Sequence, residues 1–131
     1  MGTWNVGAFD NDEALDTLAM LENVNQEGLN AFLWVALDSK REEVVTMASS
    51  LIDIIHKGKQ TKLPQCYTNT FIKKNILSVA EDNLKLRREA YQRVCYLIEQ
   101  GNVAGWKNWT AREKELIKLR DSLADKLYEN W

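Results

Sequence analysis

Scarcity marks this chain first. There is one proline and one histidine, with only two cysteines and six glycines among 131 residues. So few breakers exclude collagen-like and low-complexity architectures and leave long uninterrupted segments free to form regular structure. Two cysteines, Cys66 and Cys95, with one histidine fall short of the roughly four compactly spaced ligands of a zinc site. No run approaches the roughly eighteen apolar residues that span a bilayer. The opening, Met1 to Asp10, has neither a basic stretch nor an apolar stretch of the secretory kind, so the expected address is the cytosol, with reduced thiols serving as small hydrophobes. At 15.1 kDa the chain is sized for one domain over residues 1–131 around one core.

Cations are absent from residues 1–39. That segment holds seven of the nineteen acids, Asp10, Asp12, Glu13, Asp16, Glu22, Glu27 and Asp38, and none of the seventeen Lys and Arg, so it carries −7 against +5 for residues 40–131. One reading is internal: acidic helices lie against basic ones, and acids at helix starts favour the macrodipole. The other is that the segment faces outward and steers a basic partner. With a pI near 5.5, the chain lacks the basic balance that phosphate neutralisation requires, so nucleic acid is not the expected partner. The local run Lys85, Arg87 and Arg88 reads as a solvated helix face.

What fills the chain is helical periodicity. A helix opens near Asn11, with Ala14, Leu15, Leu18 and Leu21 on one face. Leu29, Phe32, Leu33, Ala36 and Leu37 follow the i, i+3, i+4, i+7, i+8 spacing of a core-facing helix. Ser39 with Glu42 reads as a capping box ahead of Val44, Val45, Ala48, Leu51, Ile52 and Ile55, and Gly58 can close that helix. Residues 57–65, with Gly58 and Pro64, form the clearest loop. Phe71, Ile72, Ile76 and Val79 resume the pattern, and Ser78 with Glu81 offers a further box within it. A longer helix bearing Leu84, Ala90, Tyr91, Val94, Cys95 and Ile98 stops at Gly101. A turn through Asn102, Gly105 and Trp106 then leads to Thr110 with Glu113, another box, and to Leu116, Leu119, Leu123 and Leu127. That leucine seam is core or, less commonly, a dimer interface. No segment alternates with period two. The expectation is an all-α, single-domain bundle of about five to seven helices.

Chemistry is sparse. His56 follows Ile54 and Ile55 at a helix end, where a cation interacts favourably with terminal carbonyls. Neither cysteine sits in a nucleophile motif, the glycines make no phosphate-binding loop, and Glu-x-x-His is absent. The sequence therefore leads to no catalytic residue, no cofactor and no metal. Five tryptophans are generous for this length; they seal the bundle ends or serve as binding anchors, the role for which tryptophan is most enriched.

The opening carries one specific motif. Trp4, Gly7, Phe9, Asn11, Asp12, Ala14 and Asp16 resemble, in register, the signature Trp-Gly-x-Gly-x-Phe-x-Asn-Asp-x-Ala-x-Asp of a bacterial family catalogued as domain of unknown function four-two-five-nine. Asn5 stands where the family usually has glycine. The likeness continues more loosely through Leu63-Pro64, the helix around Arg87 to Leu97 and the turn at Trp106. It implies a size and a helical fold, and brings no established activity. Physically, Trp4 and Phe9 can fold back over the first helix while Asn11, Asp12 and Asp16 cap its start.

These features lead to a non-enzymatic protein-binding domain, most specifically an immunity protein that occludes the active site of a basic, nuclease-like toxin. Asp10, Asp12, Glu13, Asp16, Glu22, Glu27 and Asp38 would pair with the toxin's basic cleft and Trp34 would serve as the aromatic anchor. Two alternatives stand beside it: an enzymatic or ligand-binding domain with a polar site at Asn11, Asp12 and Asp16 beside Trp4, and a structural protein that dimerises through its last helix.

Overall fold

The computed structural model describes Asp16, residues 26–57, residues 84–103 and residues 105–128. Among these residues there are four helices and no strand: α1 (Gln26–Leu37), α2 (Glu42–Lys57), α3 (Leu84–Gln100) and α4 (Trp109–Tyr128). The all-α expectation is met. Four is fewer than the five to seven helices read from the sequence, and the segments expected to supply the others lie outside the described residues, apart from Asp16, which is helical and exposed. Of the loop expected at 57–65, Lys57 is instead the last residue of α2, and the rest, with the cap at Gly58, lies outside them too.

Each helix buries the face that its spacing defines. Leu29, Leu33, Ala36 and Leu37 of α1 meet Met47, Ala48, Leu51, Ile52 and Ile54 of α2, Leu86, Ala90 and Val94 of α3, and Leu116 and Leu123 of α4. Full burial of one such leucine is worth about 1.5–3 kcal/mol. Of the leucine seam of α4, Leu116 and Leu123 are core and Leu119 packs against its edge. α2 and α3 each pack against all three other helices, whereas α1 and α4 both dock on that central pair. The central position explains why α2 buries Met47 and Ile54 as well as the expected face: a helix with three neighbours needs a wider apolar arc than one lying on a surface.

The breaks between helices follow local chemistry. α3 stops at Gly101, whose φ of 73° is the left-handed conformation that glycine adopts without a Cβ penalty, and the Gly101 N–H donates to Ile98 O at 3.2 Å. Asn102 then folds its amide across the turn, with Nδ2–H donating to Trp106 O at 2.8 Å and Oδ1 accepting from Trp106 N–H at 2.6 Å.

Two caps differ from expectation. Asn108, not Thr110, caps α4: its Oδ1 accepts from Ala111 N–H at 3.2 Å and its carbonyl from Arg112 N–H at 3.1 Å. The asparagine side chain reaches the third helical amide from a residue still outside the helix, whereas Thr110 is already inside the first turn. At α2 the Ser39 hydroxyl does accept a backbone bond, from Arg41 N–H at 3.1 Å, but Glu42 is the first helical residue and turns its carboxylate into the structure. Asn108→Ala is accordingly expected to lower stability by about 1 kcal/mol, and Thr110→Ala by less than about 0.5 kcal/mol. Urea denaturation of the two variants checks the order; equal losses would remove the Asn108 cap.

Candidate functional site

Two buried arginines organise the ends of the bundle. On α3, Arg87 shares a face with Ala90, Tyr91, Val94 and Ile98, because residues three and four apart fall on one side of a helix. The solvated face expected for Lys85, Arg87 and Arg88 is therefore corrected: Lys85 and Arg88 are exposed, and Arg87 is fully buried. Its Nη2 donates to Asp53 Oδ1 at 2.6 Å and Ser122 O at 2.7 Å, and its Nε–H to Leu123 O at 2.8 Å. Ser122 Oγ donates to the other Asp53 oxygen at 2.6 Å. One guanidinium thus ties the last half of α2 to the last half of α4 through the start of α3.

At the opposite end Arg112 does the equivalent. Its Nε–H and Nη2 donate to Glu42 Oε1 at 3.0 and 2.7 Å, the Thr46 hydroxyl donates to the same oxygen at 3.1 Å, and its guanidinium lies 4.3 Å from the centre of the Trp106 ring. Glu42 Oε2 and Trp106 Nε1 are both buried without a partner among the described residues.

A groove of about 770 Å³ opens over this second clamp. Its walls come from the α1–α2 connection and the start of α2, the end of α3, and the turn into α4. Asp38, Ser39 and Arg93 also line a neighbouring hollow of about 660 Å³ that runs along α1 past Phe32, Trp34 and Val35. Asp38, Ser39 and Arg93 are the wall that the two hollows share. At their junction Arg93 bridges Asp38 at 2.8 Å and Glu89 at 3.1 Å. The Asp38 side chain stays 80% exposed, so this pair is a solvated one worth at most about 1 kcal/mol.

Of the residues expected to bind a partner, the structure brings two together. Trp34 and Asp38 are exposed and line the same hollow. Asp16 is exposed, and Glu27 falls in the first turn of α1. Asp10, Asp12, Glu13 and Glu22 lie outside the described residues, as do Trp4 and Asn11 of the alternative polar site. Sequence reasoning missed Arg93, Tyr96, Val103 and Trp106 as groove residues, and it missed Arg112 and Glu42 as the clamp beneath them. A signal for Arg112 was present: it stands four residues before Leu116 and eleven before Leu123, in register with the apolar seam.

No helix of the described residues is long and apolar enough to cross a membrane. Cys95 carries a free, half-buried thiol, while Cys66 lies outside the described residues. No curated protein and no solved structure matches the chain. The family expected from the opening motif does match, over residues 2–115, most of the chain: the protein belongs to the family described as a domain of unknown function, DUF4259.

Proposed function

We propose that this protein is a non-enzymatic, cytosolic protein-binding domain, and in its sharpest form an immunity protein that neutralises a basic, nuclease-like toxin by covering its active site. The observation that carries the reading is the placement of Trp34 beside Asp38: an exposed aromatic and an exposed carboxylate share one hollow, the combination by which an interface anchors and orients a partner. The −7 charge of residues 1–39 adds long-range attraction for a cationic domain, which raises the association rate. Occlusion needs no chemistry from this chain, only a surface complementary to the partner's cleft.

The test is co-expression with the products of neighbouring genes, followed by calorimetry and stopped-flow kinetics on any basic partner. A one-to-one complex is expected, with association slowing steeply as salt rises. Neutralising Asp10, Asp12 and Glu27 together lowers the association rate by roughly tenfold, while Trp34→Ala raises the dissociation rate. Absence of a complex with any basic domain, or association indifferent to both salt and these carboxylates, overturns the reading.

A further inference from the structure

Among the described residues, the large hydrophobic side chains that remain exposed are Trp34, Val35, Tyr96 and Val103, at 39% to 76% of their full surface. They come from α1, α3 and the turn after α3, far apart in sequence, yet every one lines one of the two adjoining hollows that share Asp38, Ser39 and Arg93. Scattered exposed apolar residues are ordinary; their collection in adjoining hollows is the mark of an interaction site.

The charges of that surface indicate what it takes. Asp38, Glu42, Glu43 and Glu89 stand against Lys40, Arg41 and Arg93 along the lining, so carboxylates and cations alternate there and neither a strongly basic nor a strongly acidic segment finds a field of one opposite sign. Apolar contact with the exposed side chains is the main gain available.

We infer that this groove binds an uncharged, apolar segment of a partner protein, with its aromatic or leucine side chains against Tyr96 and Val103 at one end and Trp34 and Val35 at the other. The inference rests on the protein-binding reading and divides its labour: the acidic segment steers a basic partner, and the groove, itself close to charge-balanced, supplies the anchor.

Panning the full-length protein against a phage-displayed random short-peptide library tests this without knowledge of the natural partner. Enriched peptides are expected to be rich in aromatic residues or leucine and nearly free of charge. Synthetic copies should bind roughly tenfold more weakly to Tyr96→Asp and Val103→Asp, and as well as before to Lys118→Ala. Because Tyr96 and Val103 are exposed, these variants keep the fold, which circular dichroism verifies. On saturation the side-chain resonances of Tyr96 and Val103, which are exposed in the groove, should shift. Failure to enrich any peptide overturns the inference, as does enrichment of charged peptides that ignore Tyr96→Asp. A mass that rises with concentration, and falls back in Tyr96→Asp, would assign the groove to a second copy instead. Apolar peptides that bind the groove where no basic toxin complex forms leave the groove standing and defeat the immunity reading; a toxin complex untouched by Tyr96→Asp, without peptide enrichment, does the reverse.

Discussion

Arg87→Ala is expected to lower the free energy of unfolding by about 3–5 kcal/mol, a large share of the roughly 5–15 kcal/mol available to a domain. The magnitude follows from what remains rather than from what is removed. Without the guanidinium, the Asp53 carboxylate loses a charged donor in a position where its side chain is 13% exposed, and so do the carbonyls of Ser122 and Leu123. Removing one partner of a pair shielded from water costs more than the pair contributed. The companion double variant Arg87→Met with Asp53→Leu separates these effects. Apolar side chains of similar length leave no charge behind, so the double variant is expected to recover most of the loss. Guanidinium denaturation of the two single variants and the double measures the coupling. A loss below about 1 kcal/mol for Arg87→Ala would show that the clamp is not what joins α2 to α4.

Arg112→Ala is expected to cost about 3 kcal/mol, the lower end of the range for a broken buried pair. The Glu42 side chain is 13% exposed, as is that of Asp53, but it lines the groove, so a carboxylate released from Arg112 has water within reach of a side-chain rotation. Part of the loss is the contact with the Trp106 ring, worth about 0.5–1 kcal/mol. Arg112→Lys should restore little. A lysine ammonium has no planar fork to direct two donors at Glu42 Oε1 while lying flat on an indole. The same variants report on the groove: with Trp106 unstacked, amide exchange in residues 101–106 should accelerate while the centre of α3 stays protected. Full rescue by lysine would reduce Arg112 to a simple counter-charge.

Glu42 shows why the site was harder to read than the fold. In sequence it is the fourth member of a Ser-x-x-Glu pattern, and the local rule assigns it to a capping box. In the structure it bonds Thr46, four residues away, and Arg112, seventy residues away. A local pattern can describe what a side chain is able to reach within its own turn. It has no means of comparing that with an offer from a distant helix, and a buried guanidinium outbids a backbone amide because both of its partners are charged. Arg87 makes the same point from the other side. Three basic residues in four read as a solvated stripe, yet the 100° step of the helix points only the middle one inward, where Asp53 waits thirty-four residues earlier in the chain.

Helical periodicity is a property of neighbours, and for that reason the chain declares it openly. The core faces of α1 and α3, the stop at Gly101, the leucine seam of α4, the one-sided charge of residues 1–39 and the family motif at the start are all present in the order of residues, before any helix meets another. Packing settled what no single segment contains. Only when α1, α2, α3 and α4 close on one another do two arginines become buried, and do Trp34, Val35, Tyr96 and Val103 gather on adjoining hollows. Each of those outcomes depends on groups brought together from distant parts of the chain, and burial and ion pairing act through space, whereas periodicity acts along the backbone.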